Sequence, residues 1–363
     1  MRTGRAQTSV ALTSLAIATI ALAATSALAA DYADWMSQNK ERIRPLTINQ
    51  LTLLGSHDSA SCDVRAGSAP ASGYLTRKDH HISHHASESD LRSAICQDAS
   101  IRAQLDAGVR HFDLRIAHDK GEYWGMHMWL STPAFGPGGV FTQVKDFLRD
   151  HPDEIVILAA EHLYSDKGPM TPGQAAAFYK RVEKEFGDLL APTGDFARTT
   201  YGDLWSGRAR VILIACPECE ESVAVEPSQF RSKHRHGHSS KPAAPATPDS
   251  GPADILDDPY LWCGLEVDSK WLDEKSQEVL IAGLDGLIAR WRAGTSAAKL
   301  RRLQAMVTAG HKLADAKVTN PMVLKKLQTD WADAPISVVQ VDDAVHSGLM
   351  PALIDKLNRQ PQP

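Results

Sequence analysis

Positive charge is what this chain has too little of. Its 39 Lys and Arg residues are outnumbered by 44 Asp and Glu, for a formal net charge of −5. A nucleic-acid binder would carry a basic footprint instead. Long apolar runs are scarce too. One stretch of apolar and small residues, 10–24, lies near the N-terminus and gives way at once to a soluble-looking sequence. A retained anchor is therefore not expected. Arg2 and Arg5 precede that stretch, and Ala27-Leu28-Ala29 closes it in the A-x-A pattern of a cleavage site. Residues 1–29 are expected to be a secretory signal, which places the remainder in the periplasm or outside the cell. An adjacent Arg pair is missing, so the general export route fits better than the twin-arginine one.

Cysteine is sparse, at Cys62, Cys96, Cys216, Cys219 and Cys263. Cys216 and Cys219 form a C-x-x-C that ends an apolar strand. A thioredoxin-like redox motif opens a helix instead. A local disulfide or free thiols are expected there. Outside the cytoplasm disulfides are permitted, so Cys62 and Cys96 are candidates to staple the polar loop between them. One cysteine of the five stays unpaired. No internal repeat is visible, and 43% hydrophobic residues are enough for one sizeable core.

What is present alternates. Leu51, Leu53 and Leu54 read as a buried strand broken by Gly55 and followed by Ser56-His57-Asp58-Ser59. Residues 97–129 read as a short helix, a turn near Gly108, a strand and a histidine-bearing loop. Ile101, Leu105 and Val109 fall at i, i+4, i+8, which predicts a helix with one inward face. In the strand, His111, Asp113 and Arg115 share one face while Phe112, Leu114 and Ile116 share the other. Either this is an active-site strand of a barrel or an edge strand facing solvent. Residues 140–149 predict an amphipathic helix. Residues 154–160 and 209–215 predict strands buried on both faces. Between them Thr171-Pro172 starts a helix to about Leu190. Helices are expected at about 276–293, at 296–308 and after Asn320-Pro321. A strand at 336–341 ends in Asp342-Asp343, and a last helix spans about 348–358. A lead-in helix is expected over 34–44. Such alternation predicts α/β architecture with a parallel sheet or barrel.

Two segments break the pattern. Residues 62–90 form a polar loop carrying His80, His81, His84 and His85, read as solvated rather than metal-binding. Residues 222–254, with His234, His236 and His238, are rich in Pro, Ser and His and read as a mobile insertion.

Polar groups at strand ends converge on one chemistry. Two histidines can act as base and acid, an arginine can grip a phosphate, and carboxylates can orient the histidines. That is equipment for phosphodiester cleavage by an internal hydroxyl without a metal.

G-S-H-D-S after a strand, QLDAGVRHFDLR, a histidine after a short strand, KDFLRDHPDEIVIL and finally SVVQVDDAV stand in this order. Together they resemble the X domain of bacterial phosphatidylinositol-specific phospholipases C. The likeness covers residues 51–161, fades from Met170 to Ser337 and returns at SVVQVDDAV. It implies a single irregular (β/α) TIM-type barrel over residues 30–363 with long loop insertions. It also implies a monomer acting on phospholipid at a membrane surface. The implied products are diacylglycerol and inositol 1,2-cyclic phosphate.

The resemblance assigns roles residue by residue. His57 would be the base for the inositol 2-hydroxyl, with Asp342 as its partner, though adjacent Asp343 leaves the register open. Arg115, supported by Asp113, would clamp the phosphate. His127 would be the acid for the diacylglycerol oxygen, with Asp58 as partner and His118 as a competitor. Arg115 stands where calcium-using relatives hold their cation, so no cofactor is expected. Glu161, placed where those relatives carry a metal-ligand glutamate, keeps Ca²⁺ as the alternative. Trp124 and Trp129, beside His127, are read either as a lipid-interface pair or as core. Two rival functions remain open. One is a calcium-dependent phosphodiesterase of the same barrel type acting on another phospholipid or a glycerophosphodiester. The other is a non-catalytic barrel that binds phosphoinositides.

Overall fold

The computed structural model describes residues 32–71, 73–74, 84–215, 258–308 and 310–360. The expected signal, the insertion at 222–254, the pair Cys216 and Cys219, and His80 and His81 lie outside these residues. Eleven strands occur in the order β1 (Leu53–Ser56), β2 (His111–Asp119), β3 (Glu122–His127), β4 (Trp129–Pro133), β5 (Val156–Ser165), β6 (Gly168–Pro169), β7 (Val211–Ala215), β8 (Leu261–Cys263), β9 (Val267–Ser269), β10 (Leu300–Gln304) and β11 (Val338–Val341).

Eight of them form one parallel path, β8-β7-β5-β2-β1-β11-β10-β9. Their order around this path is their order in the chain, so each connection moves to the neighbouring strand, as a barrel requires. The ends of the path, β8 and β9, are joined by the short turn Gly264–Glu266, and no ladder pairs them among the described residues. The result is a nearly closed eight-stranded α/β barrel. The remaining strands decorate it: β3 and β4 form an antiparallel hairpin on β2, and β6 pairs with β5.

Local chemistry accounts for most outer helices. The helix Val140–Asp150 buries Val140, Phe141, Val144, Phe147 and Leu148, one stripe along its length. The helix Pro172–Phe186 begins with a capping box, in which the Thr171 side chain accepts from the backbone of Gln174 and the Gln174 side chain accepts from Thr171. β7 reads VILIA and is buried throughout, as a strand covered on both faces must be. β2, paired with β1 and β5, is interior to the sheet, so the edge-strand alternative does not hold.

Several expectations need correction. Residues 296–308 form no helix. Leu300–Gln304 is β10, held between β9 and β11, and its Leu300 and Leu303 are buried. LRRLQ has good helix formers, but its place between two strands with unpaired backbone overrides that preference. The helix expected after Pro321 begins earlier, at Lys312, and runs through Pro321 to Gln328. His311 caps it by accepting from the backbone N–H of Ala314. Buried Thr319, Asn320, Val323 and Leu327 hold it across the proline. The lead-in helix is two short ones, Trp35–Gln38 and Lys40–Ile43.

Gly55 does not break β1 but lies within it. A Cβ there would meet Val338 Cγ1 at 2.7 Å and His111 Nδ1 at 3.3 Å, so the glycine permits a close approach inside the barrel. Cys62 and Cys96 form no staple. Both are free, with Cys62 against Thr132 and Cys96 turned inward. His84 and His85 are exposed, and His84 pairs with Asp90.

The end of the barrel away from the site is tied by a buried ion pair the linear pattern did not reveal. Arg110, just before β2, and Glu154, just before β5, lie 2.7 Å apart, both fully buried. Arg110 also donates to the carbonyls of Leu105, Val109 and Ala33, while Glu154 accepts from the backbone of Met36 and Ser37. This pair pins the N-terminal helices across the barrel floor. Glu154→Ala strands a buried guanidinium, so we expect a loss of about 3–5 kcal/mol of unfolding free energy, to be read from urea titration.

Candidate active site

Five strand ends deliver the polar groups to one rim of the barrel. β1 runs into His57 and Asp58, β2 carries Asp113 and Arg115, β3 ends at His127, β9 leads to Trp271, and β11 leads to Asp342. These are C-terminal ends, where barrel enzymes keep their chemistry. The register between β2 and β5 slips between Asp113 and Arg115, where Asp113 faces Ala159 and Arg115 faces His162. Such a bulge re-aims side chains.

Asp58 is the point of convergence. Its φ of 41° is a left-handed conformation that turns the chain just after His57. Its Oδ1 forms an ion pair with Arg115 Nε. Its Oδ2 lies 3.3 Å from His57 Nε2 and 3.3 Å from His127 Nε2. On its other side His57 places Nδ1 2.8 Å from Asp342 Oδ1. His127 places Nδ1 2.8 Å from the Ala94 carbonyl, so that nitrogen carries a proton and donates. Asp342 therefore settles the register between the two aspartates. Asp343 has a φ of 50° and turns away to His346, 2.7 Å from its Nδ1.

Asp113 supports Arg115 through its charge, which helps keep the guanidinium protonated, and not through a direct ion pair. Its carboxylate accepts from the backbone N–H of Asp58 at 3.3 Å and from Gln340 Nε2 at 3.1 Å. It fixes the turn that holds Asp58, while Asp58 itself pairs with Arg115. His118 stays on the hairpin, its ring against Tyr123, and does not reach this cluster. Trp129 is buried and donates to the His84 carbonyl, which rules out its half of an interface pair.

Burial and charge separate the two histidines. Burial lowers the pKa of His57, but the negative charges of Asp58 and Asp342 outweigh it and raise the net value above 6.5. His127 goes the other way. Burial, with Arg115 and His57 adding to it, overcomes the pull of Asp58 and takes His127 down to about 4. For Asp58, burial pushes upward, and the charges of Arg115, His127 and His57 win, holding it well below the usual carboxylate range. Its charge in turn keeps Arg115 protonated against burial.

Calcium does not fit this set. It takes six to eight oxygen ligands. Here Glu161 is buried and paired with Arg302 at 2.5 Å, and Asp58 is held by a guanidinium. Among the described residues two groups have ligand atoms within 4.8 Å of one another, His57 with Asp58 and Cys96, and Asp98 with Asp343 and His346. Neither is an oxygen cage.

No protein-family model matches the sequence. PI-PLC X domain-containing protein 2 of Homo sapiens is 26% identical over 198 residues, which are 51% of this chain and 60% of that protein. The variant-surface-glycoprotein phospholipase C of Trypanosoma cruzi is 30% identical over 218 residues, 55% of this chain and 54% of that one. The chain is homologous to the PI-PLC X domain proteins. It spans about half the length of most of the curated relatives it matches. Solved structures extend the likeness as far as the fold. The phosphatidylinositol-specific phospholipase C of Staphylococcus aureus aligns at 17% identity with a TM-score of 0.59, over 91% of this chain and 98% of that one. The enzyme of that name from Listeria monocytogenes aligns at 14% with a TM-score of 0.53, over 88% and 98%. Both support the TIM-type barrel.

This X-domain homologue holds site residues that the linear pattern missed. Trp271 stacks on His57 with ring centroids 5.4 Å apart. Gln97 donates to the carbonyls of His57 and Val341 and accepts from the backbone of Ala344, so it couples the β1 and β11 loops. Cys96 touches both Asp58 and His127. Cys96 and Gln97 stand just before the helix expected from Ile101 to Val109, and Trp271 falls in no expected strand, so nearness to a motif signalled the first two and nothing signalled the third.

The site's histidines link stability to pH. His111, buried under Asp113 with no hydrogen bond at either ring nitrogen, is lowered to about 3, chiefly by burial. His127 and His162 are lowered as well. A histidine folded neutral binds fewer protons than its unfolded form, so stability falls as pH drops below 6.5. His57, raised, has its full contribution below 6.5 and loses it as pH rises through its folded pKa. Asp58 and Asp113, lowered, begin to cost only below 3.8. Between pH 6.5 and 4.5 we expect about 1.4 kcal/mol lost per pH unit for each histidine held neutral, with His111→Leu removing one such increment from the slope of urea-derived stability against pH.

Proposed function

We propose that this barrel is an exported phosphatidylinositol-specific phospholipase C that cleaves its substrate by attack of the inositol 2-hydroxyl on phosphorus, without a metal. The observation that carries the reading is the convergence of His57, His127 and Arg115 on Asp58, with Asp342 behind His57. His57 Nε2 is buried and off-line from Asp58, so it makes no hydrogen bond and is free to accept one from a hydroxyl. Displacing Trp271, which lies against that ring, opens the approach. His57 takes the hydroxyl proton, and Asp342 stabilises the imidazolium through Nδ1. Arg115 leaves Asp58 for the phosphate oxygens and offsets the charge that builds on them. His127 gives its Nε2 proton to the diacylglycerol oxygen as that oxygen leaves. One O–P bond forms and one breaks, giving diacylglycerol and inositol 1,2-cyclic phosphate. The printed names of the curated relatives, PI-PLC and phospholipase C, support the reaction class. The Arg302 partner on Glu161 supports a metal-free site. Among the described residues no helix is long and apolar enough to cross a membrane. We expect substrate to be met at the bilayer surface, where a phospholipid presents its headgroup.

In the substrate-free protein the two histidines are biased against the roles proposed for them, His57 raised by the carboxylates beside it and His127 taken down to about 4. An arriving phosphodiester moves His127 toward its role. It draws Arg115 away and adds negative charge beside His127, and both effects raise that pKa. Binding of a non-hydrolysable inositol phosphodiester analogue is therefore expected to take up protons between pH 5 and 7, and Arg115→Ala to suppress most of the uptake. Calorimetry in buffers of different ionisation enthalpy measures both.

The direct test is phosphorus NMR of the protein with phosphatidylinositol vesicles. A cyclic phosphate signal that persists in EDTA and disappears in His57→Ala is the expected result. Activity lost to EDTA and restored by Ca²⁺ would sink the metal-free mechanism, and no turnover at all would sink the substrate.

A further inference from the structure

Cys96 touches all three catalytic loops. Its backbone N–H donates to Ser61 Oγ at 3.0 Å, in the loop that follows Asp58. Its carbonyl accepts from the N–H of Asp343 at 2.8 Å, in the loop of Asp342. Its sulfur lies 3.5 Å from His127 Nδ1, at the end of β3. The same sulfur lies 3.6 Å from Asp58 Oδ2, the oxygen that faces both imidazoles, and the thiol donates to it. The side chain is fully buried and forms no disulfide.

We propose that Cys96 is a positioning residue, whose thiol holds the Asp58 carboxylate between the two histidines and excludes water from behind His127. This rests on the roles proposed above for Asp58 and His127. The physical case is a matter of what else could fill the place. Asp58 Oδ1 is taken by Arg115. Among the described residues the thiol is the hydrogen-bond donor to Oδ2, while the two imidazole nitrogens stand 3.3 Å from it without forming a hydrogen bond. Without that donor the carboxylate is free to turn Oδ2 onto His127 and away from His57. Sulfur suits the site because it is bulky and weakly polar. It fills the gap beside His127 Nδ1 without competing for the proton given to Ala94. The thiol stays protonated, since burial and then the charges of Asp342 and Asp58 raise its pKa well above the ordinary value. It therefore adds no second negative charge next to Asp58.

Removing the thiol has a signed consequence. In Cys96→Ala the carboxylate loses a donor and water enters behind His127. More of the Asp58 charge then acts on Nε2, and the ring is less desolvated. Both changes raise the pKa of His127. Cys96→Ser keeps a donor and nearly the native shape. The experiment is NMR titration of the His127 imidazole in substrate-free native protein, Cys96→Ala and Cys96→Ser, with Cys62→Ala as the control for a thiol outside the cluster. Phosphatidylinositol turnover is measured alongside.

The expected result is an upward shift of the His127 titration in the alanine variant and little shift in the serine variant. With it, kcat in the alanine variant should fall about tenfold at nearly constant KM, roughly the worth of one hydrogen bond to a charged group. Cys62→Ala should match the native protein. An unmoved His127 titration in Cys96→Ala would overturn the proposal, as would equal shifts in the alanine and serine variants, which would mark a packing role only. The titration needs no substrate. Native protein that fails to turn over phosphatidylinositol would therefore refute the proposed reaction without deciding the role of Cys96.

Discussion

One buried carboxylate governs the upper half of this molecule. Asp58 is almost entirely removed from water, and a lone anion in such a place would take up a proton. It remains charged because Arg115 sits on one oxygen and His57 and His127 stand at the other. Each of those groups comes from a different part of the chain. The charge of Asp58 thus works as an assembly condition: β1, β2 and the β3–β4 hairpin must all be in place before it is tolerated. The same charge pulls both histidines upward, enough to win over burial at His57 but not at His127, and keeps the guanidinium protonated.

The two ends of the barrel are built on different principles. At the floor, Arg110 and Glu154 satisfy each other and the backbone around them, and both are fully buried. That arrangement has one low-energy state. At the rim the charges are less completely met. His57 Nε2 has no hydrogen bond, and Trp271 lies against the His57 ring without a covalent or polar tie to it. Unsatisfied groups cost stability, and they are tolerated where a ligand is meant to complete them. Midway between rim and floor the Glu161–Arg302 pair spans from β5 to β10, which gives that glutamate a structural task.

Much of the barrel was legible in the linear pattern because its strongest signals are local. VILIA has no alternative to a doubly covered strand, Thr171-Pro172 with Gln174 writes its own helix start, and Phe112, Leu114 and Ile116 alternate with polar neighbours at the period of a strand. The failures are instructive for the opposite reason. LRRLQ at 300–304 has helical composition and becomes a strand because β9 and β11 offer it two ladders. Pro321 lies inside a helix because buried Thr319, Asn320 and Val323 hold both sides of it. β8 and β9 are three residues long, too short for any period to register. Cys62 and Cys96 looked like a pair along the chain, and the fold sends their sulfurs to different neighbours.

What the sequence by itself determined was the inventory and the direction: which residues carry chemistry, that His57, Asp113, Arg115 and Asp342 stand at or near strand ends, and that the strands run parallel. Side-chain period and strand order are properties of neighbours in the chain, so they survive without a structure. Tertiary structure alone decided who touches whom. It made Asp58 the shared partner of an arginine and two histidines, put Asp342 and not Asp343 beside His57, assigned Glu161 to Arg302, and brought Cys96 to His127 and Trp271 to His57. Contacts across a barrel join residues far apart in sequence. Their distances follow from strand register and loop geometry, which no local pattern encodes.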